Sequence, residues 1–144
     1  MPPYAELHCI SNFSFLKGAS HPEEMVERAK TLRYRAIAIT DECSFAGIVR
    51  AHVAAQAVDI QLLIGSEFRL QEGTRFILIA KNRSGYGYIA NLISTARRRA
   101  PKGDYYLSYK HFVETENNCI AIWLPSNQPL EENHTKDVRW LKHH

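Results

Sequence analysis

Residues 36–47 have the sequence Ala-Ile-Ala-Ile-Thr-Asp-Glu-Cys-Ser-Phe-Ala-Gly, and this stretch decides the fold. Its first five residues form a short run that is apolar enough to be a strand buried on both faces, as the strands of parallel sheets are. Ser44 can then cap a helix that runs from Phe45 to about Ala57. A buried strand that leads directly into a helix is the repeating unit of α/β proteins.

The same alternation extends in both directions from this unit. Ser20 and Glu23 form a capping-box pattern at the start of a helix that continues to about Leu32. The other predicted elements are strands at 5–10, 60–68, 76–80 and 119–124, a helix at 86–98, a polar loop at 126–135 and the start of a helix at 136–144. This alternation predicts an α/β fold with parallel strands, either an open doubly wound sheet or part of a β/α barrel. In both architectures the residues that carry chemistry lie at the carboxyl ends of the strands.

The composition excludes several classes of protein. The chain has 144 residues, of which 45% are hydrophobic and 23% charged, the balance of one globular domain rather than of a disordered chain. It has no apolar run long enough to span a bilayer and no secretory signal, so we expect a cytoplasmic protein. The three cysteines are too few and too scattered for a disulfide framework. The net charge of +3 permits a nucleic-acid partner without arguing for one.

Polar side chains that are able to bind metal lie at or near the end of each of the first three predicted strands. His8 ends the first strand, Asp41 and Glu42 follow the second, and Glu67 ends the third. Imidazole and carboxylate are suitable ligands for zinc, manganese or iron, and the ends of parallel strands meet at one edge of a sheet. The alternative is structural: Asp41 caps a turn, and Glu67 pairs with one of two nearby arginines. The residue pattern alone favours this structural alternative.

Four stretches of the sequence carry a resemblance to a known family. They are 4–20 (Tyr-Ala-Glu-Leu-His-Cys-Ile-Ser-Asn-Phe-Ser-Phe-Leu-Lys-Gly-Ala-Ser), 36–47, 63–68 (Leu-Ile-Gly-Ser-Glu-Phe) and 79–94 (Ile-Ala-Lys-Asn-Arg-Ser-Gly-Tyr-Gly-Tyr-Ile-Ala-Asn-Leu-Ile-Ser). The chain resembles the N-terminal PHP (polymerase and histidinol phosphatase) domain of bacterial C-family DNA polymerases, and the run 96–103 is similar to the error-prone branch. The resemblance implies that residues 1–144 form the first part of an incomplete PHP-type β/α barrel, without the polymerase palm, fingers and thumb.

The family holds a metal cluster, and the sequence departs from its usual ligands. His8 matches the first histidine of the family's His-x-His motif, but Ile10 replaces the second and offers no lone pair. Glu42 stands where a histidine is usual, Lys17 where an acid is often found, and Arg75 near a further histidine. A nearby ammonium or guanidinium group repels a metal ion. We therefore expect a vestigial site, in which Lys17 and Arg75 form salt bridges with the candidate ligands in place of the metal.

A second metal hypothesis uses the cysteines Cys9 and Cys43, which sit beside His8 and Glu42. Thiolate and imidazole together suit zinc. Because alternate residues of a strand face opposite ways, His8 and Cys9 are not expected to point to one centre, and this hypothesis is disfavoured.

A basic run is the candidate contact for DNA. Arg97, Arg98 and Arg99 are followed by Lys102 and by the tyrosines at 105–106. The cations could contact phosphates while the tyrosines stack on single-stranded bases. The alternative is a solvated helix end, where cations favour the negative pole of the helix dipole. We favour this alternative, since the run is short and the net charge is low.

The resemblance implies that the full-length protein synthesises DNA past lesions with magnesium as cofactor. We expect this segment to serve as scaffold, with no polymerase activity by itself and no cofactor of its own. Two alternatives remain open: a metal-dependent PHP-class phosphoesterase or exonuclease that uses zinc or manganese, and a non-catalytic module that binds DNA or polymerase subunits. The expected partners are the remainder of the polymerase chain, DNA through the full-length protein, and other mutagenesis or replication subunits, but no membrane.

Overall fold

The computed structural model describes residues 3–112 and 118–125, together with Arg139. The chain divides into two compact units, Met1–Ser66 and Glu67–His144. The predicted polar loop at 126–135 and the predicted helix at 136–144 lie outside the described residues, apart from Arg139. No helix among the described residues is long and apolar enough to cross a membrane.

The first unit is built on three parallel strands. Its elements are β1 (Ala5–Cys9), α1 (Pro22–Thr31), β2 (Ala36–Ile39), α2 (Ile48–Val58) and β3 (Gln61–Arg69), which continues into the second unit. β1 pairs in parallel with β2, where Ala5 lies opposite Ala36, and β2 pairs in parallel with β3, where Ala36 lies opposite Gln61. The predicted parallel arrangement is confirmed for these strands.

The core of the first unit lies between β2 and the two helices. All four residues of β2 are buried, as expected for a strand with a partner on each side. The core residues are Val26, Ala29, Ile37, Ile39, Ile48, Ala51 and Ala55. Burial of one branched aliphatic side chain stabilises a fold by about 1.5–3 kcal/mol, so this cluster holds β2 against the two helices.

The two helices begin one to three residues later than predicted. The N-cap of α1 is His21, whose backbone N–H donates to the Glu24 carboxylate at 2.8 Å. The sequence pattern paired Glu23 with Ser20. In the structure Glu23 instead accepts a hydrogen bond from Arg50 and forms an ion pair with it. The predicted cap of α2 at residue 44 closes a turn before that helix, because its hydroxyl accepts the N–H of residue 46 at 3.1 Å.

The second unit contains β4 (Arg75–Ala80), α3 (Arg83–Arg98), a single 3₁₀ turn (Tyr109–His111) and β5 (Cys119–Leu124). β4 and β5 are antiparallel, with Arg75 opposite Leu124 and Ala80 opposite Cys119. The prediction that all strands are parallel is therefore wrong for β5. Phe76 of β4 packs against Phe68 and Phe112, with ring centroids 5.9 and 5.5 Å apart, while α3 buries its apolar face.

The antiparallel pairing follows from the path of the chain after α3. Residues 99–112 return to the turn that precedes β4, where the Gln71 N–H donates to the Leu107 carbonyl at 2.9 Å. β5 begins at the other end of β4, where the Lys81 N–H donates to the Asn118 carbonyl at 2.9 Å. The chain is thus at the start of β4 at residue 107 and at the far end of β4 at residue 118. A parallel pair requires a single crossover instead.

Candidate metal centre

The loop between β1 and α1 folds back on itself in several backbone hydrogen bonds. The Asn12 N–H donates to the Ser20 carbonyl at 2.9 Å, and the Ser14 N–H donates to the Ser11 carbonyl at 3.0 Å. Gly18 closes the loop, and a Cβ atom added there would overlap the Ser11 carbonyl and lie 2.7 Å from the Ile10 oxygen. Only glycine fits this approach, and the turn places the side chain of residue 17 beside the end of β2.

Asp41 follows β2 and is 1% exposed. Its Oδ1 accepts from the Ser11 N–H at 2.8 Å and from the Ser14 hydroxyl at 2.7 Å, while Oδ2 accepts from the Ser11 hydroxyl at 2.7 Å. The Ser66 hydroxyl donates to the Asp41 carbonyl at 2.7 Å. Both carboxylate oxygens are thus occupied by neutral donors of the protein. Sequence reasoning missed these serines; their signal was the spacing Ser-x-x-Ser directly after a strand.

Glu42, the next residue, forms an ion pair with Lys17. The Glu42 side chain is 15% exposed and that of Lys17 49% exposed, so the pair lies at the edge of the buried region. The Glu42 backbone N–H donates to the Ser14 hydroxyl at 3.2 Å. The predicted salt bridge from Lys17 is therefore present, and it joins the loop to the end of β2.

Glu67 lies in the second unit, on the last part of β3, and its side chain is 2% exposed. The Arg75 guanidinium at the start of β4 donates to Glu67 Oε1 through Nη2 at 2.6 Å and through Nε at 3.2 Å. Of the two nearby arginines, Arg75 forms the ion pair with this buried carboxylate. The Arg69 backbone N–H donates to the Tyr105 hydroxyl. The predicted pairing of Glu67 with Arg75 is confirmed.

His8 and Cys9 occupy the end of β1 and are half-buried. The His8 backbone N–H donates to the Glu6 carboxylate at 3.1 Å. Burial, with the nearby charges of Glu6 and Asp41, raises the pKa of the Cys9 thiol to about 12, and the thiolate is the form that ligates metal. The Cys9 thiol is therefore protonated at neutral pH in the metal-free chain.

The candidate ligands, as they are arranged, do not fit a metal ion. The Asp41 oxygens accept from Ser11 and Ser14, Glu42 pairs with a lysine, and Glu67 pairs with an arginine. No group of three or more His, Cys, Asp or Glu side chains that could hold a metal ion occurs at residues 3–112 and 118–125. A cation at a ligand position also repels an incoming ion.

The basic run lies at the end of α3, and two of its members are bound locally. Arg97 stacks over the Tyr105 ring at 5.4 Å and donates to the carbonyls of residues 103 and 104, while Arg98 donates to the Ser94 carbonyl at 3.3 Å. Arg99 and Lys102 are exposed. These contacts match the expectation of a solvated helix end for the first two arginines only.

Sequence reasoning missed the residues that join Arg99 on this surface. The Tyr106 and His111 rings meet edge to face with centroids 5.6 Å apart. Burial, with the positive charges of Arg99 and Lys110, lowers the pKa of His111, while Glu72 opposes that shift. The sequence signal was present as a second basic pair, Lys110-His111, that follows the tyrosines.

Comparison with known proteins places these features in a family. The PHP domain profile matches residues 6–124. The error-prone DNA polymerase of Methylococcus capsulatus is 53% identical over 131 residues, which are 90% of this chain and 12% of that protein. The error-prone DNA polymerase of Dechloromonas aromatica is 46% identical over 147 residues, which are 98% of this chain and 14% of that protein. The chain thus spans less than a sixth of the length of these relatives.

Solved structures agree on the fold. A candidate metal-dependent phosphoesterase from Bifidobacterium adolescentis matches 68% of this chain and 34% of its own, with a TM-score of 0.55 and 24% identity. An amidohydrolase from Chromobacterium violaceum matches 65% of this chain and 33% of its own, with the same TM-score and identity. These likenesses confirm the predicted α/β fold of PHP type, of which the chain contains a part. Because the family profile spans most of the chain and the fold agrees, the protein belongs to the PHP domain family.

Proposed function

We propose that this chain is the PHP segment of an error-prone translesion DNA polymerase, and that it serves as scaffold with a degenerate metal site and no polymerase activity of its own. Relatives that are named error-prone DNA polymerases align with 90–98% of the chain, which supports this assignment. The observation that carries the proposal is the state of the candidate ligands, since Asp41, Glu42 and Glu67 all bind donors of the protein itself.

The energetics favour these contacts over a metal ion. Each hydrogen bond to a charged group is worth about 1.5–3 kcal/mol, and Asp41 would give up three of them to a metal. A divalent ion beside Glu42 or Glu67 would also have to displace Lys17 or Arg75, whose positive charges would otherwise repel it. Ile10 cannot replace the histidine that its motif has lost.

The same contacts give the segment a structural purpose. Asp41 ties the loop of residues 11–20 to the end of β2, and the Lys17–Glu42 pair repeats that connection. The residues that would position a metal in a phosphoesterase therefore hold the fold together here. In the longer protein we expect the segment to contact the remainder of the polymerase chain in the cytoplasm, while magnesium serves the polymerase domain.

The metal content of the purified chain tests the proposal. The protein is treated with a chelator, dialysed against zinc or manganese and then metal-free buffer, and measured by elemental analysis. A site with tight structural affinity would retain its ion through dialysis, and we expect no such site here. The wild type should therefore hold less than about 0.1 metal ion per chain. A variant that combines Ile10→His, Lys17→Asp and Arg75→His restores the family's ligand types and serves as the matched control.

The outcomes separate the proposal from its main alternative. Stoichiometric metal in the wild type, lost in Asp41→Asn, would overturn the degenerate site and favour a metal-dependent phosphoesterase or exonuclease of the PHP class. Hydrolysis of bis(p-nitrophenyl) phosphate by the metal-loaded chain would then identify that activity. Metal uptake by the restored variant alone would support the proposal, because it would trace the loss to positions 10, 17 and 75.

A further inference from the structure

Positive charge is concentrated in one part of the second unit. Residues 97–111 contain five lysines and arginines against one carboxylate, a net charge of +4. The whole chain carries +3, so the remaining residues together carry −1. Strong binders of nucleic acid usually concentrate their cations on one surface, and the low overall charge of this chain conceals such a concentration.

The fold brings the later cations of this segment back to the end of α3. The Tyr106 N–H donates to the Ala96 carbonyl at 3.0 Å, which fixes the return of the chain beside the last helical turn. The Tyr106 and His111 rings then meet at 5.6 Å, and the charges of Arg99 and Lys110 both act on the His111 ring. Residues separated by up to twelve positions thus share one surface.

The helix-end explanation does not extend to this surface. Two carbonyls near the end of α3 already have donors, since Arg98 binds the Ser94 carbonyl and the backbone N–H groups of Arg99 and Tyr106 bind that of Ala96. Lys110 lies outside the helix altogether. The Arg99 and Lys110 side chains form no hydrogen bond or ion pair with another described residue, and both are exposed.

We propose that Arg99, Tyr106, Lys110 and His111 form a binding surface for single-stranded nucleic acid. Guanidinium and ammonium groups bind phosphates without regard to sequence. Tyr106 is 36% exposed, and its aromatic ring is of the kind on which an unpaired base can stack. His111 Nδ1 accepts the Ser108 N–H at 3.0 Å, so the neutral ring carries its proton on Nε2, which adds a third donor.

The aromatic ring selects single strands among the possible anionic partners. Duplex DNA offers phosphates but keeps its bases stacked, and an acidic peptide offers carboxylates but no base. Among residues 3–112 and 118–125, the carboxylate that acts on His111 is that of Glu72, which accepts from the Ser108 hydroxyl and leaves the net charge of the described surface positive. The surface lies apart in sequence from positions 8–42 and does not depend on the fate of the metal site.

Fluorescence anisotropy with a labelled single-stranded oligonucleotide of about 20 nucleotides tests the proposal on the purified chain. The variant Arg99→Glu with Lys110→Glu should weaken binding at 50 mM salt at least about tenfold and reduce the salt slope by about 1.4, because each phosphate contact to a single strand contributes about 0.7. The control is Arg28→Glu with Arg35→Glu, which makes the same change of charge at exposed sites of the first unit. This control should lose less than about threefold.

Tyr106 separates base stacking from simple attraction between charges. Tyr106→Ala should weaken binding about tenfold, whereas Tyr106→Phe keeps the ring and should bind like the wild type. A duplex of the same sequence should bind more weakly than the single strand. Circular dichroism verifies the fold of each variant, and Arg99→Gln with Lys110→Gln supplies a milder test should charge reversal unfold the chain.

Three results would overturn the proposal. The first is equal loss of binding in the two charge-reversal variants, which would mean that only total charge matters. The second is equal affinity for single strand and duplex together with no effect of Tyr106→Ala. The third is displacement of the oligonucleotide by polyglutamate at the same charge concentration, which would reveal a general site for polyanions.

Discussion

Replacement of Asp41 by asparagine probes the buried carboxylate that holds the loop of residues 11–20. Asparagine has the same shape, and its amide can donate to the Ser11 hydroxyl, so all three contacts can be kept, although the Ser11 O–H proton then loses its acceptor. Three hydrogen bonds nevertheless change from charge-assisted to neutral, which about halves the strength of each. The neutral amide recovers part of this loss because it is less costly to bury. We expect a net loss of about 2 kcal/mol in the free energy of unfolding, and about 4 kcal/mol for Asp41→Ala, which leaves the Ser11 and Ser14 donors without an acceptor.

Urea unfolding followed by far-UV circular dichroism measures this loss. Glu27→Gln is the matched control, since it removes one exposed carboxylate and should change stability by less than about 0.5 kcal/mol. The same titration is repeated with zinc or manganese at 1 mM. A metal present at a hundred times its dissociation constant would stabilise the wild type by about 2.7 kcal/mol, whereas we expect no shift. A loss below about 0.5 kcal/mol in Asp41→Asn, or a metal-dependent rise of the midpoint in the wild type, would refute the reasoning.

Arg75→Ala should lower the free energy of unfolding in urea by about 2–3 kcal/mol, because it leaves the Glu67 carboxylate buried without the Arg75 guanidinium. Replacement of both residues by leucine should restore most of that stability. If it does not, the loss in Arg75→Ala does not come from the broken ion pair. Gly18→Ala should cost about 2 kcal/mol or more in the same assay, since its methyl group would overlap the Ser11 carbonyl, and a neutral result would mean that the loop readily rearranges. The Cys9 thiol is protonated more firmly in the folded state than in the unfolded one, so its contribution to stability is complete below about pH 9 and is lost as pH rises toward 12. Between pH 8 and 10.5, the free energy of unfolding should therefore fall more steeply with pH for the wild type than for Cys9→Ala. Parallel curves for the two proteins would contradict the raised pKa of Cys9.

Several features of the fold could be predicted because local sequence determines them. The four residues of β2 are apolar throughout, and only a strand between two partners buries both of its faces, so its position in the sheet was readable. Ion pairs from Lys17 and Arg75 to candidate ligands were also predictable, because each cation stands at a position where the family pattern has a ligand; that Lys17 would take Glu42, and that serines rather than a cation would bind Asp41, was not. The ion pairs of Lys17 and Arg75 could be predicted because each depends on the identity of a single residue, which the sequence gives directly.

Other features depend on contacts that no local pattern reports. The direction of β5 depends on the end of β4 at which β5 begins, and strand periodicity is the same in both directions. The N-cap of α1 lies one residue after the predicted Ser20, and Glu23 binds Arg50, a residue 27 positions away, rather than the cap. The serines that bind Asp41 could be noticed in the sequence, but only the folded loop aims their hydroxyl groups at one carboxylate.

The bonds of Asp41 have a consequence for the time at which this part of the protein can order. They join residues 27 and 30 positions apart, so the loop cannot take its native conformation until β2 and Asp41 have been synthesised and packed. Closure of such a distance costs conformational entropy before any contact compensates for it, which slows folding. On the ribosome, we expect β1 and the loop to stay unsettled until residue 41 has left the exit tunnel. Residues 5–20 would then be among the last of their unit to reach the native state.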